Sequence, residues 1–125
     1  MGWKIKKNVI EAIMAASKAA YPNEFVTLLS GSEKEKIVDE YAMLPGDSGP
    51  TFATVGGWGL DAYPVDEKLI GSAHSHPSNS NLPSIADKKF FKQYFLNTII
   101  CAPFEIQNFA FYNANGEKIG VEIIE

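Results

Sequence analysis

His74 and His76 are the only two histidines in the chain, and they stand two residues apart in Ala73-His74-Ser75-His76-Pro77. Leu69-Ile70-Gly71-Ser72-Ala73, just before them, reads as a buried strand. Side chains alternate faces along a strand, so residues i and i+2 point the same way. The two imidazoles therefore project together, with Ser75 on the other face. Neutral imidazole is a common zinc ligand, and the pair makes half of a zinc site. Ser84 follows eight positions after His76, and Asp87 three positions after that.

Pro83 and Ser84 read as a helix start, and the helix runs on through Lys88–Phe95 with Phe90, Phe91, Tyr94 and Phe95 on one face. Asp87 falls in the first turn, where the helix N-terminus favours a carboxylate. A strand with two histidines and a helix start with Asp87 can give three ligands to one divalent ion. Three protein ligands with the fourth position left to water is the pattern of a catalytic zinc; a structural zinc closes that position with another side chain. Ser84-x-x-Asp87 is also close to a capping box, with Ser84 at the N-cap and Asp87 at N3. The two roles are compatible.

His74-Ser75-His76-Pro77, six residues, Ser84, two residues and Asp87 resemble the JAMM (MPN+) metalloprotease signature H-[ST]-H-P-x(6)-S-x-x-D. Pro22-Asn23-Glu24-Phe25-Val26-Thr27-Leu28-Leu29-Ser30-Gly31 is similar to the setting of that family's upstream glutamate, and Ile70-Gly71 to its approach to the histidines. The resemblance implies a Zn²⁺ ion held by His74, His76 and Asp87, with Glu24 as general base and Ser84 as hydrogen-bond donor to the oxyanion. Only this likeness raises Glu24 above Glu33, Glu35, Glu40 or Glu67. It also implies a cytidine-deaminase-like sheet with the metal at one sheet end. Short proteins of this kind look like peptidases and isopeptidases that cut after the C-terminal Gly-Gly of a ubiquitin-like modifier.

The longer insertions that read polyubiquitin linkages have no room here. The expected partner is thus a small prokaryotic or archaeal ubiquitin-like or sulfur-carrier protein with a Gly-Gly tail, and its conjugates. A hydrolase trimming an amino acid or peptide from a sulfur carrier would use the same ligands. A RadC-like chain has nearly the same spacing, with Asn usually where Ser75 stands. A noncatalytic scaffold is the remaining alternative, as in MPN domains that lack the ligands.

The elements that must hold these residues follow from pattern. Trp3 to Ile5 makes a short strand. A helix from about Lys7 to Ala20 carries an apolar stripe of Val9, Ile10, Ile13, Met14, Ala16 and Ala20, with Ser17 inside it. Pro22 ends that helix. Glu24 opens the strand Phe25–Leu29, which forms a hairpin with Ile37–Leu44 across a charged turn. Pro45–Pro50 reads as a loop, Thr51–Val55 as a third strand and Gly56–Leu60 as a tight turn. Thr51–Val55 is the expected edge for an extended tail to add to. Asn97–Ala102 returns as a strand. Ile106–Tyr112 and Glu117–Ile124 read as a terminal hairpin around Asn115-Gly116. The fold class is α/β (α+β): a mixed, mainly antiparallel sheet flanked by helices, in a single domain over residues 1–125.

Composition narrows the partners. With 125 residues and 46% hydrophobic content the chain reads as one globular domain. A net charge of −4 argues against nucleic acid. No apolar run approaches the ~20 residues needed to span a bilayer, and the N-terminus lacks a signal-peptide pattern. The single cysteine, Cys101, excludes an intrachain disulfide and suits a reducing compartment. A cytoplasmic location is expected.

Overall fold

The computed structural model describes residues 2–42 and 69–125. In chain order these form β1 (Trp3–Lys6), α1 (Lys7–Ala20), β2 (Val26–Ser32), β3 (Ile37–Ala42), β4 (Leu69–His76), α2 (Ile85–Phe91), β5 (Leu96–Cys101), β6 (Phe109–Tyr112), β7 (Lys118–Ile119) and β8 (Val121–Ile124). The expected loop at Pro45–Pro50, strand at Thr51–Val55 and turn at Gly56–Leu60 lie outside the described residues, as do Met43 and Leu44.

The strands pair in the order β7-β6-β5-β4-β2-β3-β1-β8. The β1–β3, β1–β8 and β4–β5 pairs are parallel, and the others are antiparallel. The sheet is mixed, as expected. β7 and β8 stand at opposite ends of the order, yet only Gly120 separates them in the chain. The sheet must therefore curl until its two ends meet along one segment.

That segment corrects the terminal hairpin. Gly116 makes the turn with φ of +80°, a conformation glycine adopts freely. Only Lys118–Ile119 then pairs back on β6. Val121–Ile124 leaves and runs parallel to β1, with Trp3 opposite Val121. Ile106–Asn108 is a 3₁₀ turn rather than strand, closed by Glu105 N–H donating to Asn108 Oδ1 at 2.9 Å.

The helix α1 spans the residues its stripe predicts. Val9, Ile10 and Ile13 are buried, and Ser17 joins them because its hydroxyl donates to Ile13 O at 2.7 Å. Together with Leu29, Val38, Ala73 and Ile100 they form the core on one face of the sheet. The other face carries Val26, Leu28, Ile99 and Tyr112, covered by Phe90 and Phe91 of α2. Among the described residues no helix is long and apolar enough to cross a membrane.

The helix α2 is shorter than its aromatic spacing predicts. It stops at Phe91, so Tyr94 and Phe95 do not extend its buried face. Asn97 Nδ2 donates to the carbonyls of Phe91 at 3.2 Å and Tyr94 at 3.1 Å, and Phe95 N–H donates to Ile70 O at 2.9 Å. These bonds draw the chain out of the helix and into β5. Tyr94 still packs on Phe90, with ring centroids 5.3 Å apart, but Phe95 is half exposed.

Candidate metal centre

β4 lies in the middle of the sheet, antiparallel to β2 and parallel to β5. Leu29 faces Gly71 and Ser30 faces Leu69, which leaves Ile70 as an extra residue in β4. The bulge resets the parity of the strand. A Cβ on Gly71 would sit 2.7 Å from Leu96 O, so glycine lets β5 come close at the start of this run. From there Ala73 points to the α1 core, while Ser72 and His74 face α2. His74 is buried, with its ring 6.4 Å from that of Phe91.

Ser75 takes the opposite role. Its Oγ accepts from Phe25 N–H at 2.8 Å, and its own N–H donates to Phe25 O at 2.9 Å. This carries the pairing one residue beyond Val26↔His74, so the next cross-strand neighbours are Glu24 and His76. Glu24 is half-buried, and its charge is among the influences that raise His76.

The three expected ligands converge. His74 Nε2 and His76 Nε2 lie 3.2 Å apart. His74 Nε2 is 3.3 Å from Asp87 Oδ1, and His76 Nε2 is 3.2 Å from Asp87 Oδ2. Two imidazole nitrogens that close need a proton or a metal cation between them. Four-coordinate zinc with bonds of about 2.0–2.2 Å places neighbouring donors roughly 3.3–3.6 Å apart, so the observed gaps suit such an ion. His76 Nδ1–H donates to Ser80 O at 3.0 Å, which leaves Nε2 free to ligate, as outer hydrogen bonds do around bound metals. Glu24 is not one of the three grouped donors.

The electrostatics match. Burial alone would lower the pKa of His76. The Asp87 carboxylate, the Ser80 carbonyl and Glu24 outweigh it and hold the imidazole above its ordinary value. Burial would likewise raise Asp87, but hydrogen bonds from His74 and His76 hold it well below the usual carboxylate range. A carboxylate that stays ionised beside two nitrogen donors is a ready metal ligand.

Ser84 stands at the start of α2 as the N-cap. Its Oγ accepts from Asp87 N–H at 3.0 Å, and its N–H donates to Asp87 Oδ2 at 2.8 Å. The capping box therefore aims Asp87: one carboxylate oxygen is held by Ser84 N–H and His76, and the other reaches His74.

Three positioning residues were missed at the sequence level. Tyr112 Oη donates to Asn81 O at 2.9 Å while its ring stacks on Phe91. Asn81 Nδ2 donates to Asn108 O at 3.0 Å. Together they pin the loop that supplies Ser80 and Ser84. Asn97, which closes the far end of α2, also accepts from Ser72 Oγ at 2.6 Å. For Asn97 the available signal was a polar residue inside an apolar strand run, since a buried polar group needs a partner.

Comparison with known proteins agrees with this geometry. A family profile described as prokaryotic homologs of the JAB domain matches residues 6–113. A probable metalloprotease from Haloferax volcanii is 28% identical over 97% of this chain and 79% of its own length. The solved structure reported as the JAMM metalloprotease-like zinc site in the proteasome and signalosome is 31% identical, covers all of both chains and superposes with a TM-score of 0.77. A JAB1/MPN domain protein from Archaeoglobus fulgidus is 32% identical over 98% of this chain and 99% of its own, with a TM-score of 0.76. These neighbours and the clustering of His74, His76 and Asp87 together support a Zn²⁺ ion as the metal of this chain. The chain belongs to the prokaryotic homologs of the JAB domain, the JAMM/MPN family of metalloprotease-like zinc proteins.

Proposed function

We propose that this chain is a zinc-dependent isopeptidase or peptidase that cuts after the C-terminal Gly-Gly of a ubiquitin-like modifier. The observation that carries the reading is the convergence of His74, His76 and Asp87 to 3.2–3.3 Å, with Glu24 and Ser84 at the same end of the sheet. The intact ligand set weighs against a scaffold role. When bound, zinc acts as a Lewis acid and makes water a usable nucleophile near neutral pH. The chain's own residues supply the rest. Glu24, half-buried beside His76, takes a proton from the attacking water and returns it to the leaving amine. Ser84 Oγ already accepts from Asp87 N–H, so its hydroxyl proton remains to donate outward, to the oxygen on which charge develops. A Gly-Gly tail suits such a site because glycine, lacking a side chain, lets a substrate backbone approach closely.

The test is incubation of the zinc-loaded protein with diglycine-ended conjugates, joined through a lysine or as linear fusions, with and without chelator. Release of the modifier with a free Gly-Gly terminus, stopped by chelator, is expected. Conjugates left uncut by fully zinc-loaded protein would remove the assignment.

A further inference from the structure

The two most exposed large apolar side chains among the described residues are Ile85, at 79%, and Leu82, at 69%. They bracket Ser84. Scattered exposed apolar residues are ordinary, but these two are close together and their backbone is anchored. Leu82 N–H donates to Ser80 Oγ at 3.3 Å, Asn81 is tied to Tyr112 and Asn108, and Ile85 opens the capped helix. The loop and the first turn of α2 thus hold two apolar side chains in water beside the site.

The surface continues along α2. Ile85, Lys88, Lys89 and Lys92 follow the i, i+3, i+4, i+7 spacing of one helical face. All four are exposed, whereas Asp87, Phe90 and Phe91 are buried on the opposite face. Among the described residues no carboxylate forms an ion pair with these lysines. The chain as a whole carries a net charge of −4, so this strip runs against its general sign.

We infer that the outer face of α2 and the residues flanking it, from Leu82 to Lys92, dock the folded body of the modifier protein, and that this modifier is acidic around an apolar patch near its tail. The inference rests on reading the site as a Gly-Gly isopeptidase. An apolar centre with a charged rim is the anatomy of a specific protein interface. Complementary charge there sets encounter rate and partner choice, and it is screened by salt.

The experiment compares wild type with the triple reversal Lys88→Glu, Lys89→Glu, Lys92→Glu. One substrate is an acidic ubiquitin-like domain joined through Gly-Gly to the lysine of a fluorescent peptide. The second is a short Gly-Gly–lysine isopeptide with no folded modifier. The triple reversal should raise KM for the protein conjugate at least tenfold at 50 mM salt, less at 300 mM, and leave turnover of the short isopeptide and zinc content unchanged. An unchanged KM, or equal loss on both substrates, would overturn the docking surface. If wild type cuts neither substrate, the isopeptidase reading fails, and docking is read separately. Fluorescence anisotropy of the free acidic domain should then show binding to wild type and none to the triple reversal. Absence of that difference, or equal binding of an oligonucleotide to wild type, would sink the inference.

Discussion

Phe25 and Ser75 exchange two hydrogen bonds, Phe25 N–H to Ser75 Oγ at 2.8 Å and Ser75 N–H to Phe25 O at 2.9 Å. One serine thereby locks the strand that leads from Glu24 onto the strand that carries both histidines. Replacing Ser75 with Ala strands a buried N–H and should cost about 1–3 kcal/mol. Turnover should fall more than zinc affinity, because Glu24 shifts while His74, His76 and Asp87 stay together. Ser75→Thr keeps the hydroxyl and should restore both. Urea melts, zinc titration and kcat on one conjugate distinguish these outcomes.

Glu24 and His74 should fail in different ways. Glu24→Gln is expected to retain stoichiometric zinc and lose turnover by roughly 10²–10⁴-fold, the usual worth of a general acid–base group. His74→Ala should lose zinc along with activity. Metal analysis of the two purified variants, beside their rates, checks the division. Full activity in Glu24→Gln would remove Glu24 from the mechanism.

Ser84 is the N-cap of α2 and the proposed oxyanion donor, and substitution can separate the two. Ser84→Ala removes both the cap and the hydroxyl donor, and should cost about 1 kcal/mol of stability and roughly 10²–10³ in rate. Ser84→Gly is a tolerable N-cap, within a few tenths of a kcal/mol of serine, yet has no hydroxyl. Its stability should stay near wild type while its rate stays as low as that of Ser84→Ala. Recovery of rate in Ser84→Gly would leave Ser84 as a cap only.

The pH dependence follows from Asp87 and His76. In the zinc-free protein, His76 is held above its ordinary value. Its stabilising contribution is full below about pH 6.5, its unfolded value, and is lost as pH rises through the folded one. Asp87 is held below the usual range. Its contribution is full above about pH 3.9 and is lost as pH falls through its folded value. Zinc needs neutral imidazole, so it competes with the His76 proton. The extra stability conferred by a fixed zinc concentration should therefore grow from pH 5.5 to pH 8. Urea unfolding with and without chelator at both pH values measures it, and an increment flat across that range would contradict the coupling.

Much of the site was legible in the residues alone. Strand parity put His74 and His76 on one face, and Ser84-x-x-Asp87 announced a capped helix with an acid in its first turn. The stripe of α1 fixed that helix from Lys7 to Ala20. All of these are short-range relationships, set by the period of the element that carries them. Tertiary structure decided the rest. The aromatic spacing after Asp87 favoured a helix to Phe95, but Asn97 took its last carbonyls and ended it at Phe91. Local turn chemistry pointed to a terminal hairpin, but Val121–Ile124 went to β1 because a curled sheet brought its far edge within one residue. Nor does spacing rank Glu24 above the other glutamates: its place beside His76 comes from the pairing of Phe25 with Ser75, fifty residues away in the chain. Sequence periodicity fixes which way a side chain faces within its own element. Which elements meet is set by hydrogen bonds and burial between distant segments, and no local pattern encodes them.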